Sequence, residues 1–115
     1  MAVRRKDGLI AAAVAIAVSA VLACGPAEPP PAPAPLAPEL ARTYQAVCAT
    51  CHARPGIGAP LTGVDGDWSE RREKGLDALL VSTVQGVGGM PPLGTCGLCS
   101  VADFRALIRV MAGVP

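Results

Sequence analysis

Cys48-Ala-Thr-Cys51-His52 sets two thiols three positions apart, with an imidazole directly after the second. Three kinds of chemistry use such a pentad. On one helical turn the two thiols reach the two vinyl groups of a single porphyrin, and His52 then lies beneath the iron as its proximal ligand. Zinc would take the same three groups, with one cysteine of the second pair, Cys96 and Cys99, as a fourth donor. A thiol–disulfide couple would use the cysteines alone, at a helix N-terminus following a strand, whereas the pattern upstream of Cys48 is helical. Covalent haem gives all three residues a role, and the compartment that the chain enters weighs on the choice.

The N-terminus points outward. "MAVRRK" is a short cationic stretch, followed by the apolar run Gly8 to Ala23. This reads as a secretory leader, because the run is shorter than the roughly 20 residues of a spanning helix. Arg4-Arg5 lacks the rest of a twin-arginine motif, so Sec is the expected route. The run closes on "VLAC", which resembles the lipobox of bacterial lipoproteins. That resemblance implies cleavage before Cys24 and lipid on its thiol, with signal cleavage nearby or an uncleaved anchor as the alternatives. Residues 24–37 are dense in proline and alanine and have no means of forming a core. They read as a tether in extended polyproline II form. Loss of residues 1–23 removes Arg4, Arg5, Lys6 and Asp7, turning a formal charge of +1 weakly negative. No basic patch argues for nucleic acid.

Residues 38–115 read as one small domain whose aromatics are Tyr44, Trp68 and Phe104. A protein-only core is marginal at that size, and a bound cofactor would become part of it. An electron carrier needs a second axial ligand, and "GVGGMPPLG" offers Met90 between glycines that allow close approach and prolines that stiffen the segment. Met111 shares an apolar helical face with Phe104, Leu107 and Ile108, so it reads as packing.

The elements that must position these groups read as four helices and no convincing strand. The first is expected from about Pro38 to Cys51, with Glu39 near its positive end and Leu40, Tyr44 and Val47 at helical spacing. Asp67-Trp-Ser-Glu70 reads as a capping box opening a helix that Gly75 ends. Leu76 to about Gln85 is the third, stopped by Gly86. Ser100-Val-Ala-Asp103 caps a last helix reaching about Ala112, before Gly113.

In this order "CATCH", "GAPL" at Gly58 to Leu61, Trp68, "KGLDALL", "GVGGMPP" and "CGLCS" resemble a class I c-type cytochrome, and more narrowly the cytochrome c5 and c-555 group. The resemblance implies an all-α fold, a small class I cytochrome c fold of about four helices around one covalently bound haem c. It implies Cys48 and Cys51 as attachment points and His52 and Met90 as axial ligands. It also implies that the Pro60 carbonyl accepts a hydrogen bond from His52 Nδ1, with a turn residue alone as the lesser alternative for Pro60. Trp68 would pack near the haem edge and donate to a propionate, or serve as core packing alone. Relatives join Cys96 to Cys99 in a disulfide, worth only roughly 2 kcal/mol by chain entropy, so stiffening the joint is its main use. A redox-active dithiol is the alternative. Many relatives carry lysine after "MPP", and Leu93 stands there in this chain. That implies a more apolar contact around the haem edge.

The expected function is one-electron transfer by a carrier, not an enzyme, with transient redox protein partners, including membrane respiratory complexes, and no small-molecule substrate. The expected location is a bacterial membrane facing the periplasm or cell surface, with lipid at Cys24 as the anchor. A subunit of a dehydrogenase or oxidase complex is the second reading. A haem sensor or peroxidase is the third, and the sequence offers no recognisable distal histidine and arginine constellation for peroxide chemistry.

Overall fold

The computed structural model describes residues 31–115, so the leader and Cys24 lie outside the described residues. Residues 31–37 have no regular structure. The chain then runs as one helical rod from Pro38 to His52, in three parts: α1 (Pro38–Thr43), a widened π-type turn (Tyr44–Cys48) and α2 (Ala49–His52). Proline at its start and Glu39 in the first turn suit an N-terminus that has free N–H groups and a positive dipole end. The expected plain α-helix is therefore interrupted. The Ala49 N–H bonds to the Tyr44 carbonyl, five residues back, which inserts one extra residue into the turn. The physical reason lies on both sides. The Tyr44 hydroxyl is tied to Thr62 Oγ1 at 2.9 Å, while Cys48 and His52 face the interior, and the wider turn lets both meet their partners.

The second helix starts earlier than expected. α3 spans Asp65–Arg72, with Val64 at its N-cap and no side-chain cap. The Asp67 capping box does not form because its carboxylate accepts from the Leu61 N–H at 2.8 Å. Asp67 thus braces the loop that carries Pro60. Arg72, in the last turn, pairs with Asp65 and donates to the Ala112 carbonyl at 2.9 Å, closing the end of the last helix. Gly75, at φ 82°, turns the chain into α4 (Gly75–Gln85).

Past Gly86 a short segment holds Met90, with paired backbone bonds between Val87 and Met90, followed by a 3₁₀ turn at Pro92–Thr95. Cys96 and Cys99 are joined in a disulfide with Cα atoms 5.5 Å apart. α5 (Val101–Ala112) begins at Ser100, whose hydroxyl accepts from the Asp103 N–H while the Asp103 carboxylate accepts from the Ser100 N–H. Hydrogen bonds from Ser100, backbone first, hold the Asp103 carboxyl below its ordinary value. Gly113 at φ 65° ends the helix.

Among the described residues the architecture is all-helical, with no strand beyond the isolated Val87 to Met90 pairing. Phe104, Leu107, Ile108, Met111 and Ala112 from α5 pack with Trp68 of α3 and Leu79 of α4. Leu40, Tyr44 and Val47 of the first rod lie against the same cluster. The rod, α3, α4 and the Met90 segment surround a hollow rather than a closed core.

Candidate functional site

That hollow is a cavity of about 560 Å³, and its wall gathers Cys48, Cys51, His52, Pro60, Trp68 and Met90 from four separate segments of chain. Both pentad thiols are unpaired. Burial pushes the Cys48 thiol above its ordinary value, with a backbone hydrogen bond acting weakly the other way. It therefore stays neutral against the apolar wall.

His52 ends α2 and is buried. Its Nδ1 lies 2.8 Å from the Pro60 carbonyl oxygen, which only accepts, so Nδ1 carries the proton and donates it. The lone pair then belongs to Nε2, the nitrogen available to a metal. The Leu61 carbonyl, one residue on, accepts from Trp68 Nε1 at 2.7 Å. Of the two roles considered for Trp68, propionate donor or packing, this bond favours packing. Its only N–H is committed to backbone, and what the residue contributes is packing. The indole stacks on His52 with ring centroids 6.0 Å apart and planes 25° apart, within the usual range for aromatic pairs. Thus the ring of His52 is held on its edge by Pro60 and on its face by Trp68.

Met90 reaches the wall from the short segment after α4. Of the glycines expected to allow close approach there, Gly86 is the one packed tightly, against the backbone of Met90, Pro91 and Pro92; a Cβ at Gly88 or Gly89 would meet nothing within 4 Å. Met111 also touches the cavity but sits in the buried α5 cluster. Arg71 and Lys74 are the lysine and arginine side chains on the wall, beside Glu70. Leu93 does not supply the apolar rim. It is partly buried against the core, whereas Ile57 and Val87, 49% and 59% exposed, are the large apolar residues at the cavity's open side.

These residues fit a covalently held haem. Two thiols, an imidazole with a fixed tautomer and a thioether line one largely apolar cavity. The zinc alternative loses its fourth donor, because Cys96 and Cys99 are bonded to each other. Among the described residues no cluster of three His, Cys, Asp or Glu side chains converges on a point. The roles of Thr62 on Tyr44, the Leu61 carbonyl on Trp68 and the Asp67 carboxylate on Leu61 were not foreseen from residue type. Only "GAPL", which ends at Leu61, hinted at that loop, since backbone acceptors leave no mark on residue type.

Comparison with known proteins agrees. The family described as cytochrome C oxidase, cbb3-type, subunit III matches residues 35–110. The chain is 39% identical over 69 residues to cytochrome c5 of Ectopseudomonas mendocina, covering 58% of this chain and 79% of that protein. It is 34% identical over 75 residues to cytochrome c-555 of Chlorobaculum tepidum, covering 62% of this chain and 69% of that protein. In a crystal structure of an electron transfer complex of nitrite reductase with cytochrome c, one chain superposes with a TM-score of 0.59 at 32% identity; the match covers 70% of this chain and all of that one. With its attachment cysteines, helices and cavity inside residues 35–110, the stretch that the family matches, the chain belongs to the class I c-type cytochromes, electron carriers with one covalently bound haem c.

Proposed function

We propose that His52 and Met90 are the two axial ligands, and that the chain is a lipid-anchored carrier exchanging single electrons with protein partners outside the bacterial cytoplasm. The observation that carries the ligand assignment is the convergence of His52 and Met90 with Cys48 and Cys51 on one cavity. Bound haem supplies the one-electron couple of its iron. The protein's part is to hold two ligands still, so that little rearranges when the charge changes. Pro60 and Trp68 fix the imidazole, and a thioether favours the ferrous state and raises the potential relative to a second imidazole. Trp68, Leu79, Ile108 and Met111 keep water from the inner wall. Ile57 and Val87 form an apolar lip suited to brief contact with a partner, and Arg71 and Lys74 offer cations for the porphyrin carboxylates.

The spectrum tests the ligands. Holoprotein should be low-spin in both oxidation states, with the long-wavelength ferric methionine band and little response to carbon monoxide. A high-spin spectrum with rapid carbon monoxide binding would mean an open iron and would move the sensor reading forward.

The anchor rests on the leader, "VLAC" and the proline-rich stretch, which support Sec export, cleavage before Cys24 and a domain held off the membrane by residues 24–37. Full-length chain should fractionate with membranes, and Cys24→Ser chain should appear in the soluble periplasmic fraction or remain as uncleaved precursor. Equal membrane association of a correctly cleaved Cys24→Ser chain would remove the lipid from the account. The oxidase-subunit description of the matching family favours a second reading, a permanent place in a respiratory complex. A stoichiometric partner retained after mild detergent extraction would select it, and a lone small species would select the free carrier.

A further inference from the structure

The glycine that meets Met90's side chain is four residues after it, not among those before it. A Cβ built on Gly94 would lie 3.2 Å from Met90 Cε, and no other atom is closer to it. The backbone explains why Gly94 comes so near. Leu93, Gly94 and Thr95 all adopt left-handed conformations, at φ 60°, 52° and 69°, in a run that curls the chain back over the end of the Met90 side chain. The curl is held at both sides, by the Gly94 N–H on the Pro91 carbonyl at 3.0 Å and the Cys96 N–H on the Leu93 carbonyl at 2.9 Å. Cys96 is itself buried and bonded to Cys99, which fixes the far end to the start of α5. An added methyl therefore meets a rigid support on one side and a flexible thioether on the other. The thioether gives way, by a few tenths of an ångström.

From this geometry we infer that Gly94 is a positioning residue for electron transfer. Its missing side chain sets where the Met90 thioether sits, and so how firmly that sulfur holds the sixth place on the iron. The inference rests on the reading of Met90 as an axial ligand. Leu93 belongs to the same device: its partial burial against the core holds the curl in place, which gives an apolar residue a use at this point.

The test uses holoprotein with Gly94→Ala and Gly75→Ala. Gly75 is the control, because at φ 82° it carries a comparable left-handed penalty, meets nothing within 4 Å and lies off the cavity wall. Both variants should lower the denaturation midpoint by similar amounts. Only Gly94→Ala should shift or weaken the ferric methionine band, and it should speed carbon monoxide binding roughly two- to tenfold, the range for a side chain pushed off its rotamer. Should Gly94→Ala fail to accumulate, Gly94→Asn adds the same Cβ while tolerating the left-handed backbone. Parent protein without a methionine band would overturn the ligand reading and this inference with it. A parent band that Gly94→Ala leaves unchanged, at an unchanged carbon monoxide rate, would overturn the inference alone.

Discussion

Exported chain with serine at both Cys48 and Cys51 is expected to retain no haem on a denaturing gel and to lose most of its helical signal. The first outcome is chemical, since a serine hydroxyl does not replace the thiols that reach the vinyl groups. The second comes from where the core lies. Trp68, Leu79, Ile108 and Met111 belong to the buried cluster and also line the cavity of about 560 Å³. A cavity of about 560 Å³ that opens to solvent beside Ile57 and Val87 does not stay empty and dry without the group that fills it. It must flood or collapse; flooding wets the inner faces of α3, α4 and α5, and collapse costs them their native packing. Circular dichroism and a thermal melt of the exported double variant decide the matter. A cooperative, parent-like melt would show that the helices stand without their cofactor.

Gly86→Ala is the second large effect, and it acts through the backbone alone. Gly86 ends α4 at φ 80°, ψ 155°, a conformation reached almost only by glycine. Its Cβ would lie 2.8 Å from the Met90 carbonyl oxygen and 2.9 Å from the Pro92 nitrogen. Neither atom can move without the segment moving, because Val87 and Met90 exchange backbone bonds at 3.1 and 2.9 Å. Conformational strain and overpacking together should destabilise the holoprotein by about 3–5 kcal/mol. The ferric spectrum should lose its methionine band. Denaturant titration reads the first and absorbance the second, and a parent-like midpoint would show that the segment is looser than its contacts imply. Gly94→Ala differs in kind, since there the neighbour is a flexible side-chain end and the fold should persist.

What the sequence made legible has a common character. The pentad's and Met90's shared place on one cavity wall, the Ser100 with Asp103 cap, and Gly113 announce themselves by residue type, because thiols, thioethers, caps and left-handed turns each need particular side chains. The all-helical fold followed from the 3.6-residue spacing of apolar positions. The readings that failed or stayed open did so where a side chain had two uses. Asp67 has the composition of an N-cap, yet an unpaired N–H at Leu61 claims its carboxylate, and α3 starts without a side-chain cap. Trp68 carries one donor, and which acceptor takes it is a matter of tertiary placement. Leu93 is apolar and therefore serves either a lip or a core, and only its burial decides. The π-type turn is equally invisible, because Tyr44 to Cys48 are ordinary helix residues whose phase is set by Thr62, far along the chain.

That turn makes the first rod two rods with separate phases. An α-helix advances about 100° per residue, so the one additional residue between Tyr44 and Ala49 rotates everything before it by that angle relative to the haem-attachment segment. Residue count here acts as an angular setting. Deleting one position from the turn would restore an uninterrupted α-helix, keep the composition almost intact, and swing Leu40 off the core while Cys48 and Cys51 stayed in place. The attachment pentad and the stretch leading into it are thus coupled through a screw whose pitch is chosen by a single residue.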